Sequence, residues 1–172
     1  MIVRCAANCI PLLIQQNVNN GSDAAFNRSW AEYKVGFNDT KGNYWLGNDL
    51  LSQLTQNDHY KLRLELQLRN HSWYWAEYSS FTILSEAYNY KLLVSGYSGN
   101  VGDALSYHSN IMFSTYDRDN DQWWSNCALR YGGFWYKICG FCNANGVRGS
   151  FQWLEPDIRW HDLQTSRMWL TC

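Results

Sequence analysis

Leucines alternate with charged and amide residues between positions 60 and 68, in the stretch YKLRLELQL. Successive side chains of a β-strand point to opposite faces, so this pattern predicts a strand with one buried and one solvated face. The aromatic and β-branched stretch 73–84 follows a short polar segment and is predicted to be its hairpin partner. A third strand is predicted at 90–94. These stretches together indicate a sheet that is at least partly antiparallel.

Helical spacing replaces this alternation in the stretch 23–37. Apolar side chains recur there at i, i+4 and i+7, on one face of a helix: Phe26, Trp30 and Tyr33. Asp23 is the predicted N-cap of this helix, because its short acidic side chain can accept a hydrogen bond from a free backbone N–H. Gly36 is its predicted end.

Two shorter helices are predicted, one from Gly47 with Asn48 or Asp49 as its cap, and one within 99–107 with Asp103 near its start. Beyond residue 110 the regular patterns fade. A long irregular stretch in a compact domain is usually functional or disordered, and this one is too aromatic to be disordered. We therefore expect a metal ion or disulfides to order it.

Length and charge limit the classes of partner. A chain of 172 residues is most simply one domain, and its net charge of -1 gives no reason to expect a nucleic acid or an anionic membrane. No stretch approaches the roughly 20 apolar residues of a membrane span, so no membrane insertion is expected. Residues 1–16 have no long apolar run and predict no signal peptide. The chain is expected to be a fragment, a mature form or an incomplete gene product.

Aromatic residues are abundant, with 10 Trp, 12 Tyr and 7 Phe. Trp and Tyr combine a large apolar area with a polar group. A bulky aromatic core is the simpler interpretation of any single Trp, and a surface that binds sugars or peptides is the alternative.

Cysteines and sequons favour an oxidising, extracellular location. Six Cys are present, and four N-glycosylation sequons lie within the first 72 residues, at Asn20, Asn27, Asn38 and Asn70. The C-x-x-C pair Cys139 and Cys142 has spacing suited to zinc or to redox chemistry. No βαβ pattern surrounds this pair, so we favour a secreted, disulfide-bonded glycoprotein.

Three aspartates at alternate positions, Asp117, Asp119 and Asp121, suggest a hard cation. Calcium takes six to eight oxygen ligands from carboxylates, carbonyls and water. The EF-hand pattern fails, because Gln122 and Ala128 stand at its Gly and Glu positions. The alternative is a solvated acidic turn.

Several motifs in the same order resemble the fibrinogen C-terminal domain family, which includes fibrinogen globular domains, ficolins, tachylectins, angiopoietins and tenascins. The motifs are WAEYKVGF (30–37), YWLGN (44–48), YSGNVGDAL (97–105), FSTYDRDND (113–121), NCA (126–128), GFWY (133–136), Cys139 and NANG (143–146). The resemblance runs from about residue 10 to the C-terminus. It implies an α+β fold with a twisted, mostly antiparallel sheet, short helices and an irregular calcium- and ligand-binding part at about 106–172. One N-terminally shortened domain is expected to cover 1–172.

The resemblance also implies a calcium site. In the family the second and third aspartates bind calcium together with two backbone carbonyls that follow. Transferred to this sequence, the ligands are the side chains of Asp119 and Asp121 and the carbonyls of Trp123 and Ser125. Asp117 would lie outside the coordination sphere and brace the loop by accepting hydrogen bonds.

A disulfide and a ligand pocket are implied next to this loop. Cys127 and Cys139 match the family's disulfide pair, and family members often have a cis peptide at the position of Ile138–Cys139. In lectin-type members this region binds an acetyl group. The resemblance implies that the corresponding pocket here would be lined by Tyr131, Ile138, Cys139, Gly140 and the region of Trp153.

The sequence departs from the family pattern at several positions. Gly140 stands where lectin-type members have His, which is expected to remove one pocket wall. Arg130, Tyr131 and Gly140 align with polar residues of the fibrinogen knob-binding hole, so binding of a peptide knob is not expected. Cys142 replaces the usual Ser. Pairing among the remaining cysteines stays open: Cys5, Cys9, Cys142 and Cys172.

These features predict a secreted, calcium-dependent recognition domain. The first hypothesis is a lectin of innate immunity that binds acetylated carbohydrates, and the alternative is an extracellular protein-binding module of angiopoietin or tenascin type. A homo-oligomer could add avidity to either. An enzyme is not expected, because the sequence has no nucleophile–base pair, H-E-x-x-H motif or phosphate loop. Four scattered histidines are expected to be surface or packing residues: His59, His71, His108 and His161.

Overall fold

A computed structural model of the protein describes residues 10–18, 25–57, 59–140, 142–146, 152–154 and 160–172. Its strands are β1 Leu12–Asn17, β2 Phe37–Asn38, β3 Tyr44–Trp45, β4 Tyr60–Leu68, β5 Trp73–Ile83, β6 Leu92–Gly99, β7 Phe113–Ser114, β8 Phe134–Trp135, β9 Gln152–Leu154 and β10 Trp160–Thr171. The α-helices are α1 Trp30–Val35, α2 Asn48–Asn57 and α3 Ala128–Tyr131, and short 3-10 helices cover Glu86–Tyr88 and Leu105–His108.

An antiparallel sheet forms the centre of the fold. Seven strands follow the order β2-β3-β1-β10-β4-β5-β6, β9 pairs with β10 outside this order, and β7 pairs with β8 separately. The predicted α+β class with a mostly antiparallel sheet is therefore confirmed.

The leucine-rich strand β4 lies where the alternation predicted it. Its four leucines are buried and the residues between them are partly exposed. β5 pairs with it through a hairpin, as predicted, and β6 pairs with β5. The third strand had been predicted at 90–94, and it runs instead from Leu92 to Gly99.

The central strand β10 was missed, since residues 106–172 had been expected to be irregular. β10 lies between β1 and β4 and pairs with both. A register shift between Leu163 and Thr165 interrupts its alternation, so the neighbouring residues Thr165 and Ser166 are both buried. A buried polar pair at a bulge does not give a period-two pattern.

The first helix is shorter than predicted. α1 begins at Trp30 rather than near residue 23, because Ser29 and Glu32 form a capping box. Ser29 Oγ accepts the Glu32 N–H at 3.3 Å, and the Glu32 carboxylate accepts the Ser29 N–H at 2.8 Å. Asp23 lies outside the described residues. Gly36 ends the helix as predicted, at φ +92°.

The second helix, α2, was predicted from Gly47 and begins at Asn48. The expected helix within 99–107 is a 3-10 helix that starts at Leu105. Asp103 accepts the Ser106 N–H at 3.2 Å near its start. None of the helices in the described part of the protein has the length and apolar character that crossing a bilayer requires.

One aromatic core joins the inner face of the sheet to the irregular part. Its largest fully buried side chains include Trp45, Phe113, Trp135 and Trp153. Several of these rings pack edge to face or tilted, with centroids 5.0 Å apart for Phe113 and Trp135. The core interpretation is therefore correct for these Trp residues.

Candidate functional site

The irregular loop 115–127 ends at a disulfide-bonded cysteine. Cys127 and Cys139 are bonded, with Cα atoms 5.3 Å apart and a sequence separation of 12. This confirms the pairing that the family resemblance implied. The bond joins the N-terminal end of α3 to the segment that follows β8.

Asp117 braces the loop from outside, as predicted. Its Oδ1 accepts the Trp30 N–H at 2.9 Å and the Thr115 hydroxyl at 2.7 Å. Trp30 is the first residue of α1, whose free N–H groups favour an anionic partner. The aspartate therefore ties the loop to the start of that helix.

Asp119 and Asp121 lie together in a tight bend. Asp121 accepts the N–H groups of Trp123 at 2.7 Å and Cys127 at 2.8 Å, one on each carboxylate oxygen. Asp119 in turn accepts the Asp121 N–H at 3.2 Å. Burial raises the pKa of Asp121, and the charge of Asp119 adds to this shift while the two backbone hydrogen bonds oppose it.

The donor set of this bend fits a hard cation. Two carboxylates and the carbonyls of Trp123 and Ser125 belong to this short segment, and no backbone donor among the described residues reaches either carbonyl oxygen. Oxygen ligands of these two kinds are those that calcium prefers. A cation would also offset the repulsion between Asp119 and Asp121, which adds to the rise that burial causes in the pKa of Asp121. The described residues contain no group of three or more acidic, His or Cys side chains suited to a metal ion.

An exposed apolar surface surrounds the bend. Trp124 is 84% exposed and Trp123 44%, and Leu129 on α3 and Ile138 are also exposed. The backbone N–H of Gln122 donates to the Lys137 carbonyl at 2.8 Å, which brings the bend beside the segment of Ile138. We call the set of Trp123, Trp124, Leu129 and Ile138 the recognition surface.

The predicted pocket residues do not form one exposed site. Tyr131 is half-buried with Arg130 over its ring, and Ile138 is exposed. Trp153 is fully buried, and its Nε1–H donates to the Gly102 carbonyl at 2.7 Å. Trp153 is therefore a core residue and offers no surface to a ligand.

The expected cis peptide is not present in the described residues, and the Ile138–Cys139 bond is trans. Cys139 instead has a φ of +54° and Gly140 a φ of +83°. The left-handed backbone of two successive residues turns the chain sharply after the disulfide.

The absence of a side chain at Gly140 does not leave a gap. A Cβ at this position would lie 2.3 Å from His108 Cε1 and 3.0 Å from its Nε2. The expectation that glycine removes a pocket wall is therefore wrong for this protein. The imidazole of His108, from a distant part of the sequence, occupies the space.

His108 holds the segment behind Gly140 in place. It is fully buried, its Nδ1 lies 2.6 Å from the Trp135 carbonyl, and its Nε2 accepts the Cys142 N–H at 3.3 Å. A carbonyl only accepts, so Nδ1 carries the proton and the ring is neutral. Burial lowers the pKa of His108 to about 4, although the bond to Trp135 opposes this shift. The expectation of a packing histidine is confirmed.

The motif Asn143–Gly146 is a buried polar hub that sequence reasoning did not interpret. Asn143 Nδ2 donates to the Tyr131 carbonyl at 2.7 Å, and Asn145 Nδ2 donates to the Gly133 carbonyl at 3.0 Å. On its other side Gln15 Nε2 donates to the Ala144 carbonyl at 2.8 Å. The hub thus connects strand β1 to the backbone below the recognition surface.

Two further cysteines, Cys142 and Cys172, lie within the described residues. Cys142 is buried and free, and burial raises the pKa of its thiol. Cys172 is disulfide-bonded. Pairing of Cys142 with Cys172 is thus excluded. Cys5, Cys9 and Asn20 lie outside the described residues.

The sequence of this protein is similar to those of several known proteins. The sequence profile of "Fibrinogen beta and gamma chains, C-terminal globular domain" matches residues 8–171. Mouse angiopoietin-related protein 7 is 46% identical over 125 residues, which are 72% of this chain and 37% of that protein. Mouse tenascin is 46% identical over 125 residues, which are 72% of this chain and 6% of tenascin.

Structural comparison gives the same result. The fibrinogen-like globe domain of human ANGPTL6 superimposes with a TM-score of 0.82 and 32% identity, covering 92% of this chain and 76% of that domain. The matched residues span little more than a third of angiopoietin-related protein 7, so these similarities concern one domain of longer proteins.

Proposed function

Because the protein belongs to the fibrinogen family of C-terminal globular domains, we propose that it is an extracellular domain that binds a protein partner. The observation that carries this proposal is the exposure of Trp123 and Trp124 in the bend after the aspartates. Relatives named angiopoietin-related protein and tenascin support an extracellular protein-binding role. A recognition role, rather than catalysis, agrees with this family.

The chemistry of the recognition surface suits a protein partner. Aromatic residues and Arg are enriched at protein interfaces, and a few buried aromatic anchors often carry most of the binding energy. Trp124 has most of its surface in water, which is unfavourable unless a partner covers it. Arg130 and Lys137 are the sequence neighbours of Leu129 and Ile138, and their charged groups lie over the rings of Tyr131 and Tyr107.

Two Trp residues on β5 are paired with cations. Trp73 on β5 is 45% exposed, but the guanidinium of Arg167 lies 5.2 Å from its ring centroid. Arg63 similarly lies 4.9 Å from the ring of Trp75. These cation–π pairs stabilise the outer face of the sheet. Trp123 and Trp124 contact each other, with centroids 6.2 Å apart, and have no such cation among the described residues.

Calcium is part of the proposal. The side chains of Asp119 and Asp121 and the carbonyls of Trp123 and Ser125 would hold the ion. Bound calcium would supply fixed positive charge that neutralises the two carboxylates. The Trp123 carbonyl belongs to the same residue as an exposed ring, so holding this backbone would also order the recognition surface.

Secretion is the third part of the proposal. The Cys127–Cys139 disulfide requires oxidising conditions, and the sequons at Asn27, Asn38 and Asn70 have exposed asparagines. The relatives of this family are extracellular proteins, which supports the same location.

Binding of a multimerised domain to animal cells tests the proposal. We expect calcium-dependent binding that protease treatment of the cells abolishes and glycosidase treatment leaves intact. Trp124→Ala should weaken binding, while Trp73→Ala, a matched exposed Trp on the sheet face, should not.

A glycan array run with the same multimer, with and without chelator, gives the opposing outcome. Calcium-dependent binding to N-acetylated sugars, together with loss of cell binding after glycosidase treatment, would contradict the protein-binding proposal. It would support the lectin hypothesis instead.

A further inference from the structure

Arg118 separates Asp117, which braces the loop, from Asp119, one of the two carboxylates of the bend. A positive charge at this position is unexpected beside a proposed calcium ligand, because like charges repel. The side chain of Arg118, however, extends to a neighbouring part of the fold. Its guanidinium carbon lies 4.0 Å from the ring centroid of Trp30, the first residue of α1. Arg118 therefore joins the loop to this helix by a cation–π contact.

Two oxygen atoms complete the surroundings of this guanidinium. Nη2 donates to Asn89 Oδ1 at 2.7 Å, and Nη1 lies 3.8 Å from Glu86 Oε1. Glu86 Oε1 also accepts the Nε1–H of Trp30 at 2.8 Å, so the ring beneath the guanidinium is itself fixed. Hydrogen bonds from Lys34 and Trp30 lower the pKa of Glu86, which keeps its carboxylate charged. The partners of Arg118 thus come from α1 and from the segment between β5 and β6.

Asn89 is held in one position. It and Tyr90 both have a left-handed backbone, with φ values of +51° and +48°. Two successive non-glycine residues keep this conformation only where their surroundings fix them. The Asn89 carbonyl accepts the Phe113 N–H at 2.9 Å, and the Asn89 Nδ2 donates to Met112 Sδ at 3.2 Å. Asn89 Oδ1 is therefore a fixed acceptor for the side chain of Arg118.

The backbone of Arg118 is also fixed. Its N–H donates to the Thr115 carbonyl at 3.1 Å, and its carbonyl accepts the Thr115 N–H at 2.9 Å. On the other side of Asp119, the Asn120 N–H donates to Ser114 Oγ at 3.0 Å. Asp119 therefore lies between two anchored residues, whose contacts set its backbone conformation.

We propose that Arg118 is a positioning residue of the bend formed by Asp119 and Asp121, which its guanidinium holds in the conformation that binds calcium. The inference rests on the calcium site of the proposed function. Residues that orient metal ligands without touching the ion commonly change metal affinity about 10–100-fold when they are replaced. Arg118 fixes the backbone at Asp119 before the ion binds, so less conformational freedom is lost on binding.

Charge and position have opposite effects on calcium affinity at this residue. Removing a positive charge near the bend favours binding of a cation, because it removes a repulsion. Removing the contacts to Trp30, Glu86 and Asn89 releases the loop and disfavours binding. A calcium affinity that falls when this positive charge is removed therefore reports positioning, because the change in charge alone would raise the affinity.

Calcium titration calorimetry of Arg118→Met tests the proposal. Methionine keeps a long apolar side chain against Trp30 and loses every donor. We expect its Kd for calcium to be about tenfold above the wild-type value. This ratio should be larger at high salt, where the favourable effect of the lost charge is screened.

Arg63→Met is the matched control. The guanidinium of Arg63 likewise lies over a Trp ring, that of Trp75 at 4.9 Å, and 3.8 Å from the carboxylate of Glu77. These contacts belong to the sheet and not to the bend. Arg63→Met should therefore bind calcium with the Kd of the wild type.

Arg118→Lys keeps the charge and covers the case in which Arg118→Met does not fold. Its compact ammonium group lacks the planar fork that spans Asn89 and Glu86, so the Kd should rise by a smaller factor. Wild-type calcium affinity in the Arg118 variants would overturn the role of Arg118 and leave the calcium site standing. A wild type that binds no calcium would contradict the calcium site itself, and this inference with it.

Discussion

At the scale of single residues, the pair Gly140 and His108 decides the shape of the backbone after the disulfide. The glycine was interpreted from the sequence as a missing wall, because the position normally carrying an imidazole has no side chain. In the structure an imidazole from another segment fills that space and bonds to Cys142 and Trp135. A substitution at one position was thus offset by packing from another, which a single sequence does not reveal.

Gly140→Ala should destabilise the protein more than Gly42→Ala. Both glycines have a positive φ, +83° and +94°, so both substitutions introduce similar backbone strain. A Cβ at Gly140 meets His108 at 2.3 Å, whereas at Gly42 the nearest atom is Gln16 Nε2 at 3.5 Å. Overpacking should lower the free energy of unfolding of Gly140→Ala by about a further 1–3 kcal/mol. Urea unfolding of the two variants measures the difference.

Gly140→His should be at least as destabilising as Gly140→Ala, rather than restoring a binding pocket. A folded Gly140→His variant as stable as the wild type would show that His108 moves aside easily. That result would contradict the role of His108 as a fixed support.

His108 should also make stability depend on acidity. Its pKa in the folded protein is about 4, below the value of about 6.5 in an unfolded chain. The unfolded state therefore binds the proton first, and the stabilisation is complete above pH 6.5 and lost as the pH falls towards 4. The free energy of unfolding should fall by about 1.4 kcal/mol per pH unit in this window from His108 alone.

His108→Phe removes this contribution and leaves the carboxylates unchanged. The variant should be less stable than the wild type at pH 7, because two polar backbone groups lose their partner. This difference in the free energy of unfolding should shrink by about 3 kcal/mol at pH 4. His59→Phe, at an exposed position, is the control. If the difference in the free energy of unfolding is the same at pH 7 and pH 4, the imidazole of His108 is not buried in its neutral form.

At the scale of elements, strong periodicity could be predicted and interrupted periodicity could not. β4 and β5 were predicted from their alternating and β-branched or aromatic patterns. β1 and β10 were missed because each has a register shift and buries polar residues, among them Gln15 and Ser166, which hydrogen-bond to each other at 2.9 Å. The start of α1 could have been recognised from the capping box at Ser29 and Glu32.

The candidate site shows a similar division. The disulfide and the role of Asp117 were predicted from the family resemblance, and Asp117 performs this role through the N–H of Trp30, 87 positions away. The burial of Trp153, the trans peptide at Cys139 and the position of His108 depend on contacts between distant segments. Such contacts become visible only when the core is assembled.

The bend formed by Asp119 and Asp121 should bind calcium. Asp119→Asn removes a charge but keeps an oxygen that can accept the Asp121 N–H, so the apo protein should fold normally. Calcium at a hundredfold excess over Kd should stabilise the wild type by about 2.7 kcal/mol, and this gain should disappear in Asp119→Asn. Differential scanning calorimetry with calcium and with chelator measures both.

Asp117→Asn is the matched control for this experiment. Both hydrogen bonds to Asp117 reach Oδ1, which asparagine retains. This variant should keep the calcium-dependent increase in Tm. If chelator leaves the wild-type Tm unchanged, the aspartates form only a solvated turn.

At the scale of the whole molecule, the irregular part and the sheet share one hydrophobic core. Leu64 of the sheet, Trp135 of β8 and Trp153 of β9 belong to the same buried cluster. The polar hub at Asn143–Gly146 joins the same two regions through the hydrogen bond from Gln15 of β1 to the Ala144 carbonyl. Nothing in the described part of this arrangement separates a stable sheet from an independently folding ligand-binding part.

The described domain should therefore unfold in one cooperative transition, with or without calcium. Far-UV circular dichroism follows the sheet, and Trp fluorescence follows Trp123 and Trp124 together with the core Trp residues. The two signals should give the same midpoint in urea, and calcium should move both midpoints equally, because the ion stabilises a unit that unfolds as a whole. Trp123→Phe/Trp124→Phe removes the two Trp rings of the bend, so the fluorescence then follows the Trp residues of the core and the sheet, and the midpoint should stay in the same place. Two separate midpoints in chelator that merge in calcium would contradict the single core. They would show that the irregular part gains its order from the ion rather than from packing on the sheet.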